Sequence, residues 1–240
     1  ILAFFILFLY NIFVLKLIPS IILSSIVFIV YLLSKYLSQD VRSALFCAAL
    51  SGFIPLVFRE ILNKVSVYSL VLPLVFWYIY FFLRIKEHKK YLFWFIAFSF
   101  LLPLTSPSAF LIVIAMVFYV IFLTIESFKM SNIRKEGLIF SMFLILLIEF
   151  IIYKKAFLEL GFNIVYQNLP QDIINQYFTN INLIYFLYSA GILSIVLGAF
   201  GIYYTLFVSR KSNIFFISAL ILSIFLLLIL KLININSGLL

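Results

Sequence analysis

The chain has 240 residues, 67% of them hydrophobic and 10% charged, with 31 Phe, 15 Tyr and a formal net charge of +9. A water-soluble domain needs roughly a quarter of its residues charged to cover its surface, so this composition excludes one and indicates a polytopic membrane protein. The 17 basic residues sit in small scattered clusters without a basic domain, which excludes nucleic acid as a partner, and the single Cys47 excludes an internal disulfide or a Cys-based metal site.

One crossing of a hydrocarbon core roughly 30 Å thick takes about 20 helical residues, so the length allows on the order of eight spans with short loops and no soluble domain. The almost solidly apolar run from Leu220 to Leu230 lacks the alternation of a membrane β-barrel strand. The expected fold class is all-α: one transmembrane domain over 1–240, a multi-pass transmembrane helical bundle of about eight spans plus an N-terminal juxtamembrane helix.

In chain order, the apolar stretch Ile1–Leu15 comes first. It begins abruptly at Ile1 and reads as part of a longer protein. Spans are expected at about 17–37, 44–58, 65–83, 91–104, 109–125, 138–153, 181–208 and 214–233. Those at 44–58 and 91–104 are short, and reach full thickness by borrowing flanking Ser, Thr and Tyr residues or by thinning the bilayer. The alternating loops divide the basic residues eleven to six. Lys35, Arg42, the Arg84–Lys90 group, Lys129, Arg134, Lys135, Arg210 and Lys211 fall on one side; Lys16, Arg59, Lys64, Lys154, Lys155 and Lys231 fall on the other. The richer side is expected to be cytoplasmic.

The odd-looking connections at 59–64, 105–108 and 154–180 then face outward. Pro170 opens a helical pattern in which Ile173, Ile174, Tyr177 and Phe178 share one face, so 154–180 is expected to be an extracytoplasmic loop, with an interfacial helix or a plain capping role over the bundle. In the following span Gly191, Ser194, Gly198 and Gly201 form a small-residue stripe suited to close helix packing.

Few residues are left for chemistry. Asp40, Glu87, Glu126 and Glu136 lie in the basic loops as solvated partners of Lys and Arg. Glu149 lies near the outer end of its span, where an ionisable group is costly enough to suggest function; a surface salt bridge to Lys154 is the simpler reading. Arg59-Glu60, with Asn63 and Lys64, puts two cations at the outer boundary, able to hold a phosphate or to anchor to headgroups. In the uncharged hairpin Leu104-Thr-Ser-Pro-Ser-Ala109, Ser106 before Pro107 favours an extended turn and Ser108 is placed to cap the next helix. His88 sits in a Lys-rich loop and reads as solvated; there is no Gly-rich phosphate loop and no zinc signature.

The order of these features resembles the GT-C-fold membrane glycosyltransferases, the group that includes protein O-mannosyltransferases and aminoarabinose transferases. The resemblance rests on Lys16-Leu-Ile-Pro-Ser20 leading into a span that ends Tyr31-Leu-Leu-Ser-Lys35, an Ala-rich span from Ala44 rising to Ser51-Gly-Phe-Ile-Pro55 and Arg59-Glu60, and the Thr-containing hairpin at 104–109, over about residues 1–125. It implies sugar transfer on the extracytoplasmic face from a polyprenyl-phosphate-linked sugar to an acceptor, in a prokaryotic plasma membrane. Lys16 and Arg59 take the positions of the family's basic residues near the donor phosphate, with Lys64 beside them and Glu60 available to orient the sugar or acceptor. Ile1–Leu15 becomes the membrane-skimming helix that closes the first outer loop.

The family's catalytic Asp should lie upstream of Ile1, so no catalytic residue is assigned within this chain. Where many members carry another Asp before the next span, the chain reads Asn63-Lys-Val-Ser-Val-Tyr68, which leaves any divalent metal dependent on Glu60. Two other classes fit the composition: a membrane transporter or lipid flippase, which needs polar residues along a path through the bundle, and a non-catalytic membrane scaffold subunit.

Overall fold

The computed structural model describes residues 12–54, 68–160, 191–204 and 215–223. All regular elements among the described residues are helical. They are α1 (Ile12–Ser38), α2 (Val41–Gly52), α3 (Tyr68–Arg84), α4 (Lys89–Thr105), a short 3-10 turn (Pro107–Ala109), α5 (Phe110–Ile125), α6 (Asn132–Leu160) and α7 (Ile192–Tyr203), followed by helical residues 215–223. Among the described residues three segments are long and apolar enough to cross a bilayer: Ser20–Ser38, Pro107–Ile125 and Asn132–Lys155. α2, α7 and the stretch Ser69–Arg84 are shorter apolar helices.

The chain divides into two compact units. Among the described residues the first contains 12–54, 68–82 and 191–198, and the second contains 83–160, 199–204 and 215–223.

In the first unit α1 and α2 form a helical hairpin. Gln39 takes a left-handed backbone conformation (φ 60°) and returns its N–H to the Lys35 carbonyl at 3.0 Å, which ends α1. Asp40 then caps α2, accepting from the Arg42 and Ser43 backbone N–H groups at 3.3 and 2.8 Å and from the Ser43 hydroxyl at 2.6 Å. These bonds, the Ser43 hydroxyl foremost, hold the Asp40 carboxyl below its usual range. Ala44 and Ala48 are buried, and a Cβ at Gly52 would stand 3.4 Å from Val27 of α1. This i, i+4, i+8 series of small residues lets the two backbones come close. Ile26 of α1 packs with Val30 and with Leu72 and Phe76 of α3.

In the second unit α4, α5 and α6 pack around one core. Phe95, Ser99, Leu102 and Pro103 are the buried face of α4, and Ile112, Ala115, Met116, Tyr119 and Leu123 that of α5. α6 buries Arg134, Leu138, Ser141, Ile145, Ile148 and Glu149, a spacing of three and four that keeps one stripe inward. The Ser99 and Ser141 hydroxyls meet at 2.7 Å between α4 and α6, and Ser99 also donates to the Phe95 carbonyl at 2.8 Å. A Cβ at Gly137 would lie 2.8 Å from Leu92 Cδ1, so glycine sets the spacing of these helices.

The outward faces are apolar too. On α6 Ile139, Phe140, Phe143, Leu146, Leu147, Phe150 and Ile151 are all exposed. A helix apolar on every side satisfies its surface in lipid, not water. These faces, with the lengths of the three segments, support an integral membrane protein.

Among the described residues α3, α4 and α5 follow the expected spans, and three of the about eight expected spans are long and apolar enough to cross a bilayer. α1 starts at Ile12, inside the expected Ile1–Leu15 juxtamembrane helix, and α2 ends at Gly52, short of the expected 58. α6 starts at Asn132, six residues before the expected 138, and runs to Leu160. Arg134, counted with the loop cations, is therefore inside a helix and 1% exposed. Residues 154–160, expected to begin the outer loop, continue α6. The expected interfacial helix after Pro170 and the stretch Ile1–Asn11 lie outside the described residues. In α7 a Cβ at Gly198 or Gly201 would meet no atom within 4 Å, and no described residue of α7 is buried.

Candidate functional site

Of the expected donor-site residues, Lys16 belongs to α1; its side chain, and all of Arg59, Glu60 and Lys64, lie outside the described residues. The polar groups that can be placed in detail are two clusters at opposite ends of the second unit.

The first is built on the hairpin between α4 and α5. At the end of α4 the Leu102 carbonyl accepts both the Thr105 hydroxyl at 2.8 Å and the Ser106 N–H at 3.1 Å. Ser106 is extended (φ −156°, ψ 136°), as a residue before proline should be. The cap differs from the expected one. Ser106, not Ser108, caps the turn, its hydroxyl accepting the Ser108 N–H at 3.2 Å and meeting the Ser108 hydroxyl at 2.7 Å. The reason is geometric: Pro107 starts the 3-10 turn, so the residue before it is the one whose side chain reaches the first free N–H groups.

Glu149 of α6 comes to the start of α5, where its carboxyl accepts the Phe110 backbone N–H. It is 4% exposed, and its Oε1 is buried with no hydrogen-bond partner among the described residues. The expected salt bridge is not formed: Lys154 is exposed, its ammonium 5.5 Å from the centre of the Phe150 ring. A buried carboxyl with one free oxygen, set beside a turn carrying three hydroxyl groups, is an acceptor and a potential proton-transfer group.

The second cluster surrounds Arg134 in the first turn of α6. Its guanidinium donates to the Leu83 carbonyl at 3.1 Å and to the Tyr119 hydroxyl at 3.4 Å. Leu83 is in the last turn of α3, where carbonyls lack helical partners, so Arg134 serves as a C-terminal cap contributed by another helix. Tyr119 is fixed in turn by an edge-on contact with Phe216, ring centres 5.5 Å apart. Arg84 pairs with Glu87 and lies 4.7 Å over the Tyr91 ring. Burial first, and then the Arg134 charge, hold the Lys86 ammonium below the usual lysine value. His88 is exposed, as expected, and precedes α4 without a side-chain capping bond.

Sequence reasoning singled out Glu149 but not the burial of Arg134. The signal was present: counting back from Ile148 and Ile145 by fours and threes through Ser141 and Leu138 lands on Arg134. Among the described residues no three potential metal-ligating side chains converge. Compared with known proteins, the chain matches no family model, no curated protein and no solved structure.

Proposed function

We propose that this chain is the membrane-embedded part of a glycosyltransferase that moves a sugar from a polyprenyl-phosphate donor to an acceptor on the extracytoplasmic face of a prokaryotic plasma membrane. The observation that carries the reading is the polar cluster of Glu149, Thr105, Ser106 and Ser108 at the end of the second unit opposite its basic cluster. On the loop alternation expected from the sequence, the 105–108 connection shares its side of the membrane with Lys16, Arg59 and Lys64. A lipid-linked donor keeps its chain in the bilayer and its phosphate and sugar at the interface, so a transferase needs cations and hydrogen-bonding groups on that side of a multi-pass bundle. Lys16, Arg59 and Lys64 would hold the phosphate, and Glu60 would orient the sugar or the acceptor.

The test uses the full-length protein in membranes supplied with polyprenyl-phosphate-linked sugars. Arg59→Ala should abolish donor binding, and unchanged donor affinity sinks the assignment. A second reading, a transporter or flippase, is favoured by one observation: Arg134, Ser141 and Glu149 line a single buried stripe of α6, with the Ser99–Ser141 pair between its charged ends. Loss of solute or lipid movement in proteoliposomes on Ser141→Ala, with sugar transfer absent from the wild type, would select that reading.

A further inference from the structure

We infer that the Arg134 end of the second unit is a binding site for the headgroup phosphate of an anionic phospholipid. The inference is independent of the transferase reading and rests on how three segments come together. Lys89 and Lys90 occupy the first turn of α4, and Lys135 the first turn of α6. The two turns are neighbours, since a Cβ at Gly137 would touch Leu92 of α4 and reach 3.9 Å from Ile85. Lys86, in the turn before α4, is close enough to Arg134 to feel its charge. Lys86, Lys89, Lys90 and Lys135 are all exposed.

The local acids do not balance them. Residues 84–136 hold seven basic and three acidic side chains. Glu87 is engaged by Arg84, leaving Glu126 and Glu136 against the rest. Arg134 points inward to the Leu83 carbonyl and Tyr119, so its charge reinforces the exterior potential without being available to a ligand. The N-terminal turns of α4 and α6 add the same sign. A cluster of lysines with an uncompensated charge, shared between two helix ends, is complementary to a phosphate group.

The level in the membrane selects the lipid over a free anion. One turn further along α4, Phe93 and Trp94 are exposed at 67% and 48%, as aromatic side chains are at the headgroup boundary. A lipid phosphate at that boundary meets the lysines while its acyl chains lie along the exposed apolar faces of α4 and α6. Lys154 and Lys155, in the last third of α6, are exposed, and among the described residues no further lysines or arginines gather at that end.

The experiment incubates the purified full chain in mild detergent with phosphatidylglycerol or phosphatidylcholine at equal concentration and counts retained lipid by native mass spectrometry. The wild type should retain phosphatidylglycerol in preference by roughly ten-fold or more. The triple variant Lys86→Gln, Lys89→Gln, Lys90→Gln should fall to the phosphatidylcholine level, and the double variant Lys154→Gln, Lys155→Gln should keep the preference. Because all five side chains are exposed, the variants should melt at the wild-type temperature. Equal retention of the two lipids overturns the site, as does a triple variant that keeps its preference or a double variant that loses it to the same degree. Displacement of phosphatidylglycerol by inorganic phosphate overturns the choice of a lipid.

Discussion

Arg134 and Glu149 stand on the same buried stripe of α6, fifteen residues and so about 22 Å apart along the helix, yet the fold treats them differently. Arg134 donates to the Leu83 carbonyl at the end of α3 and to the Tyr119 hydroxyl on α5, while its Nε is buried without a hydrogen-bond partner among the described residues. Glu149 receives one N–H, from Phe110, and keeps Oε1 buried without a hydrogen-bond partner among the described residues. Burying either group is costly, and the cost is recovered only where the bonding capacity is used. Each group thus keeps one buried polar atom without a hydrogen-bond partner among the described residues, and the difference lies in the bonds made: Arg134 ties two other helices together, whereas Glu149 holds a single backbone N–H and sits beside the hydroxyl-bearing turn.

Substitutions can break this contrast. The largest effect is expected from Arg134→Ala, which removes a charged donor from the Leu83 carbonyl and the Tyr119 hydroxyl; a loss of about 3 kcal/mol is expected in denaturant unfolding of the detergent-solubilised protein. A loss below about 1 kcal/mol would remove the structural role. Ser106→Ala should cost about 1 kcal/mol in the same assay, by deleting the cap that launches the 3-10 turn and α5. Glu149→Gln keeps an acceptor for Phe110 and nearly the same volume, so its stability should stay within about 0.5 kcal/mol of wild type while sugar transfer by the full-length protein falls at least ten-fold. A large stability loss with unchanged transfer would invert the comparison.

The smallest effect belongs to Asp40 in the first unit, where a charge is exposed and fully bonded. Its folded-state pKa is depressed, so its contribution is present above the ordinary carboxylate range and is lost as pH falls through the depressed value. Amide exchange at Arg42 and Ser43 should speed up over that acidic window alone, and Asp40→Asn should flatten the response. The same exchange rates in wild type and variant would show that the cap is held by the Gln39 turn instead.

Much of the helical layout was legible from apolar runs: the expected spans at 17–37, 65–83, 91–104 and 109–125 fall on α1, α3, α4 and α5 within a few residues. The misjudged start of α6 shows the limit of that method. Asn132 to Glu136 is polar enough to be scored as loop, yet the helix continues through it because Arg134 has buried partners on two other helices. Likewise the hairpin serines announced a cap, but the choice of Ser106 over Ser108 depended on where Pro107 set the first turn. The small residues of α2 and α7 look alike in sequence; in α2 Gly52 faces Val27, and in α7 Gly198 faces no described atom.

By itself, the sequence determined that the chain belongs in a bilayer and that its helices carry basic residues mainly at alternate ends, because hydrophobic transfer and charge cost act on each segment separately. The tertiary structure decided which charged groups are buried and which of those are satisfied. That depends on partners from other helices, such as Leu83, Tyr119 and Phe110, whose approach no local pattern encodes.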